Sequence, residues 1–101
     1  MDVEKISRLI EAEEINWSQH ILERMHKRKI RIDDILKAVK NGEIIEKYPD
    51  DAPYPSCLVL GYTENDESIH VVCALAKNKL IMITAYHPSK EEWEDDFKTR
   101  R

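Results

Sequence analysis

The chain contains two glycines, four prolines and two cysteines among 101 residues. So little Gly and Pro excludes a collagen-like or low-complexity chain and argues against a loop-rich scaffold. Cys57 and Cys73 stand alone in apolar runs, with no CxxC and no paired histidine, so no zinc-ligand spacing exists. They read as two reduced core thiols. A disulfide requires the strands to set them opposite one another, in an oxidising compartment. No apolar run approaches the roughly 20 residues that span a bilayer. The opening MDVEKISRLI has acids in its first turns and no continuous apolar stretch, so it is no signal peptide. The expectation is a cytoplasmic protein without a membrane partner. Also missing are a Gly-rich phosphate loop, a nucleophile elbow, and HxxxH, HExxH or DxDxD spacings. An ATPase, an α/β-hydrolase, a catalytic metal and a bound cofactor are thereby set aside.

What is present suits one small domain. The length fits a single core, and 42% hydrophobic against 36% charged residues suits a modest interior under a well-solvated surface. A net charge of −4 and a pI near 5.6 do not favour general affinity for nucleic acid. The charge is uneven, however. Residues 24–31 hold five Arg or Lys and no acid, namely Arg24, Lys27, Arg28, Lys29 and Arg31, whereas residues 91–96 hold five acids and no base.

Periodicity divides the chain at Gly42. Val3, Ile6, Leu9 and Ile10 recur at helical spacing behind Asp2, which predicts a helix over 3–13 with Asp2 as N-cap. Trp17 then anchors a turn. A second helix over 18–29 starts at the capping residue Ser18 and turns Ile21, Leu22 and Met25 inward. A third, over 33–41, starts at Asp33 or Asp34, turns Ile32, Ile35, Leu36 and Val39 inward, and ends at Gly42 in a left-handed conformation. Beyond Gly42 the period falls to two, and strands are predicted at 43–48, 56–62, 68–76 and 79–86. Short connections make the last three an antiparallel meander. Ser89 and Glu92 form a capping box, so a short C-terminal helix over 90–98 is expected, with Trp93 and Phe97 on one aromatic face. The fold class is α+β: N-terminal helices on a four-stranded antiparallel sheet, closed by that helix. Its acids complement the basic run at 24–31 of the same chain or of a second copy; in the latter case Trp93 would join a homodimer.

Three residues of the second helix carry the most promising chemistry. His20, Arg24 and Arg28 fall at i, i+4 and i+8, and each step drifts only about 40° around the axis, so they project as one stripe. Imidazole moves a proton near neutral pH, and a guanidinium grips phosphate oxygens in a two-pronged contact. That combination suits phosphodiester chemistry; a solvated basic face explains the same letters. His70 and Tyr86 lie on neighbouring strands. A two-residue turn at Lys77-Asn78 pairs 70 with 85 and separates them, while a three-residue turn pairs 70 with 84 and puts them together. The sequence leaves both registers open.

The string Ser18-x-His20-x-x-x-Arg24-Met25-x-x-x-Arg28-x-Ile30, with Asp33-Asp34-Ile35 and Asn41-Gly42-Glu43-Ile44-Ile45 after it, resembles a bacterial domain family of unknown function. Leu58-Val59-Leu60-Gly61, Ile69-His70-Val71-Val72 and Ile83-Thr84-Ala85-Tyr86-His87-Pro88 continue the likeness. The segment around Trp93 resembles members encoded beside a small zinc-finger antitoxin of the MqsA type. By fold the family is similar to the RelE/ParE toxins. The resemblance implies a toxin–antitoxin component, with metal-independent cleavage of mRNA on the ribosome as the RelE-like activity. It implies site residues His20, Arg24, Arg28, His70 and Tyr86; Lys27, Lys29 and Arg31 of the basic run are expected beside them to hold nucleic acid. A non-catalytic domain that binds protein or nucleic acid is the other reading. RelE-type nucleases are usually basic overall, and this chain departs from them in being acidic.

Overall fold

A computed structural model describes residues 3–101; the expected cap Asp2 lies outside them. Helix α1 spans Val3–Glu11, strand β1 Ile15–Trp17, helix α2 Gln19–Arg28 and helix α3 Ile32–Asn41. Strands β2 (Glu43–Tyr48), β3 (Ser56–Tyr62), β4 (Ser68–Ala76) and β5 (Lys79–Tyr86) follow. The architecture is α+β, as expected, but the sheet has five strands in the order β1-β5-β4-β3-β2. The extra strand is the segment ending in Trp17, expected as a turn. It pairs parallel with β5, Ile15 opposite Leu80 and Trp17 opposite Met82. Three residues between polar neighbours are too few to display a period, so only the pairing reveals this strand. No helix among the described residues is long and apolar enough to cross a membrane.

The helices cover one face of the sheet. Ile6, Ile21 and Ile35 pack there against Val59, Val71 and Met82, all within a few per cent of complete burial. Two expected core positions face water instead: Leu22 is 46% and Ile32 45% exposed. Helix α3 starts earlier than expected. Arg31 is its N-cap, and Asp34 in its first turn reaches back to accept from the Arg31 amide at 3.1 Å. The acid therefore serves the cap from inside the helix.

Gly42 does not adopt the left-handed conformation anticipated for it; its φ is −88° and its backbone is extended. Glycine is needed for space. A Cβ there would lie 2.2 Å from the Ala38 carbonyl oxygen, and one at Gly61 would lie 2.4 Å from that oxygen and 2.5 Å from the Ala38 Cα. Two glycines thus let the last turn of α3 settle directly on β3.

The expected C-terminal helix is absent. Residues 89–101 form a chain of turns closed by a bridge between Trp93 and Arg100, with Phe97 at φ 57° in the left-handed region. The Ser89 carbonyl accepts from the amides of Glu92 and Trp93, so the capping signal yields a single turn. Asp96 then caps the Lys98 and Thr99 amides at 2.8 and 3.1 Å and reverses the chain. The aromatic face is not formed, because Trp93 is buried against the sheet at 2% exposure.

Gly61→Ala tests the seating of α3. The added methyl meets backbone, which cannot rotate away, so stability to urea should fall by about 2–3 kcal/mol. An unchanged midpoint would show that α3 can lift from β3 at no cost.

Candidate functional site

Helix α2 is fastened to β5 at both ends. Ser18 caps the helix by accepting from the Ile21 amide at 3.0 Å, and its hydroxyl donates to the Ile83 carbonyl at 2.9 Å. At the other end Arg28 Nη1 donates to the Ala85 carbonyl at 2.6 Å. The guanidinium is thereby held beside the last residues of the strand.

Register explains why Ile83 is available. The β4–β5 hairpin turns through two residues, since Ala76 pairs with Lys79, and it runs in register to Cys73 opposite Met82. There a bulge adds Ile83, and beyond it Val72 pairs with Thr84 and His70 with Tyr86. Neither simple register expected from the turn occurs. The short turn alone would send Tyr86 to the helical face, and the bulged residue returns it to the face that His70 occupies.

On that outer face the two rings meet. Tyr86 Oη lies 3.2 Å from His70 Nδ1, and His70 Nε2 lies 2.8 Å from the Phe97 carbonyl oxygen. Because a carbonyl only accepts, Nε2 carries the proton, and Nδ1 accepts from the tyrosine hydroxyl. The Trp93 ring stands edge-on to His70 with centroids 4.6 Å apart, and Arg100 lies 4.6 Å over the same indole. Arg100 also grips Glu46 with two bonds of 2.9 and 3.0 Å, and Tyr48 donates to that carboxylate. The Arg100 bond holds Glu46 below the usual carboxylate range. Burial lowers the His70 pKa and raises that of Tyr86. His70 is fully buried, so it keeps Tyr86 in place and is closed to a ligand.

Tyr86 also borders an open cleft. A depression of about 480 Å³ is lined by Arg28, Tyr86, His87 and Glu92. Another of about 350 Å³ shares the last three and adds Ser89, Trp93 and Arg100. His87 Nδ1 donates to the Ser68 carbonyl at 2.9 Å, so in the neutral ring Nε2 bears the lone pair. The cleft therefore joins a fixed guanidinium, an oriented imidazole, a phenol and a carboxylate.

Of the residues singled out from sequence, Arg28 and Tyr86 meet in this cleft and His70 supports it from below. His20 and Arg24 do not line it. His20 is exposed on the first turn of α2, about 12 Å along the axis from Arg28. Lys27, Lys29 and Arg31 are exposed, and Arg31 lies 3.8 Å from both Asp34 and Glu64. Of the acids of 91–96, Glu92 lines the cleft with Arg28 of the basic run, and two others turn to the C-terminal arginine. Arg101 pairs with Glu94 at 3.0 Å and Asp95 at 3.4 Å. Sequence reasoning missed His87, Glu92, Glu46, Tyr48 and Arg100. Only His87, directly after Tyr86 at a strand end, carried a local signal. Cys57 and Cys73 do sit opposite one another across β3 and β4, as reduced thiols with sulfurs 3.7 Å apart.

Residues 17–87 match the family described as a domain of unknown function, DUF4258, and the chain belongs to it. No curated protein and no solved structure matches the chain. The matched segment ends at His87, so the cover formed by 88–101 lies beyond it.

His70 makes stability depend on pH. Its folded-state pKa lies below the ordinary 6.5, so the unfolded chain takes up this proton first as pH falls. Its contribution is complete above about pH 6.5 and declines as pH drops through that value toward the folded pKa. His70→Gln should flatten denaturant stability measured between about pH 7.5 and 5.5. A slope that survives the substitution would assign the titration to another group.

Proposed function

We propose that this DUF4258 domain is the toxin-like component of a toxin–antitoxin pair and acts as a metal-independent endoribonuclease on mRNA. The observation that carries the reading is the meeting of Arg28, Tyr86 and His87 in one open cleft. In this scheme His87 Nε2 takes the proton of an RNA 2′-hydroxyl. The 2′ oxygen attacks the adjacent phosphorus, and the bond to the 5′ oxygen breaks. Arg28 faces the charge that builds on the phosphoryl oxygens. Tyr86, whose hydroxyl donates its proton to the hydrogen bond with His70 Nδ1, orients the reacting hydroxyl through its phenol oxygen, and water protonates the departing 5′ oxygen. The products are a 2′,3′-cyclic phosphate and a 5′-hydroxyl. His20 and Arg24, further along the α2 stripe, hold the flanking strand, and Lys27, Lys29 and Arg31 add positive charge beside them. The likeness to RelE-type nucleases and to members paired with a small zinc-finger antitoxin supports the same assignment.

A non-catalytic binding domain is the second reading. One observation favours it: His20 and Arg24 stand outside the cleft.

The two readings separate in kinetics. With a fluorogenic RNA and a chelator present, Arg28→Ala and His87→Gln should each lower kcat by about a hundredfold or more. His20→Ala and Arg24→Ala should raise KM several-fold and leave kcat nearly intact. Growth arrest on expression should follow kcat. A chain that binds RNA yet neither cleaves it nor arrests growth is a binding module, and the nuclease reading then fails.

A further inference from the structure

The cleft lies at the C-terminal end of β5. At its other end, about 23 Å away along the strand, lies a cavity of about 560 Å³ lined by Lys5, Arg8, Leu9, Ala12, Glu14, Asn78 and Lys79. An adjoining cavity of about 370 Å³ shares Asn78 and Lys79 and adds Asn16, Tyr54 and Lys77. Together they make a trough around the β4–β5 turn. Among the described residues that line it, four cations stand with one carboxylate, Glu14, which lies 3.5 Å from Lys79 Nζ. On a chain of net charge −4 this is a local reversal of sign.

The trough is also chemically divided. Lys5 and Arg8, three apart on α1, project together over a floor of Leu9 and Ala12. The second chamber has an aromatic ring, Tyr54, which is 36% exposed, and the amides of Asn16 and Asn78. Cations suit a phosphodiester, an exposed ring gives a base a stacking surface, and amides can meet base edges. We propose that the trough is a second, non-catalytic site for a phosphate-bearing nucleotide of single-stranded RNA. The phosphate sits by Lys5, Arg8 and Lys79, and the base lies on Tyr54. That the strand is RNA rests on the nuclease reading; the site itself does not. A strand held at both places spans the length of β5, so the trough grips RNA remote from the scissile bond.

The test is binding of the full chain to a labelled 2′-O-methyl 12-mer, which lacks the attacking hydroxyl, across a range of salt. Arg8→Gln and Lys79→Gln should each weaken binding about fivefold and reduce the salt slope by about 0.7, the value for one single-strand phosphate contact. Tyr54→Ala should weaken binding with the slope unchanged. Thermal melting verifies that each variant is folded, and Arg28→Ala serves as the variant of the cleft. Wild-type affinity and slope in all three trough variants would overturn the proposal. So would equal affinity for a fully paired duplex, which offers no base to Tyr54. Trough-dependent binding by a chain that cleaves no RNA keeps this site and removes the nuclease reading. Cleavage without trough-dependent binding does the reverse.

Discussion

A single bulged residue, Ile83, sets the relation between the two faces of this domain. Side chains alternate along a strand, so one extra residue moves everything beyond it to the opposite face. Before the bulge, Leu80 and Met82 point into the helical core; after it, Ala85 takes over that role and Tyr86 joins His70 outside. The bulge also explains the attachment of α2. Ile83 has no partner across β4, and its carbonyl receives the Ser18 hydroxyl. The same residue that starts the helix thus fixes it against the strand, and Arg28 completes the attachment at Ala85.

The outer face shows how polar groups can be buried acceptably. His70, Ser56 and Thr63 are nearly inaccessible, yet no buried side-chain nitrogen or oxygen among the described residues lacks a partner. Ser56 donates to Asp51 and Thr63 accepts from the Asn65 and Glu67 amides, while the segment after Tyr86 serves His70. It brings the Phe97 carbonyl to His70, the Trp93 ring over it, and Arg100 to Glu46. The surface ion pairs of the segment are worth little singly. The buried indole supplies most of its adhesion, since a fully buried aromatic contributes a few kcal/mol.

Opposite, α3 illustrates a constraint of space. Its final turn approaches β3 so closely that neither Gly42 nor Gly61 has room for a Cβ beside Ala38. Both glycines of this glycine-poor chain are used in one contact, which sets the depth at which the helical layer rests. In Gly42 the sequence marked a real boundary, where helical periodicity stops, although the conformation inferred there was wrong. Glycine was selected for closeness and not for a left-handed turn.

Local periodicity was enough to place the three helices and strands β2 to β5, because each presents one apolar face repeatedly over six residues or more. Ser18 declared itself as a cap because its role involves neighbours three residues away. The stripe of His20, Arg24 and Arg28 was equally legible, being a property of helix geometry alone. Tertiary structure decided the rest. The pairing of β1 joins residues 15–17 to 80–82, a contact no local window contains. The capping signal at Ser89 could not foretell a helix, because burial of Trp93 and the reversal at Asp96 outweigh local propensity in a segment of some ten residues. The cleft was decided in the same way. His87 and Glu92 reach Arg28 only because a bulge, a docked helix and a returning chain meet at one end of β5, and long-range contacts of that kind leave no period in the sequence.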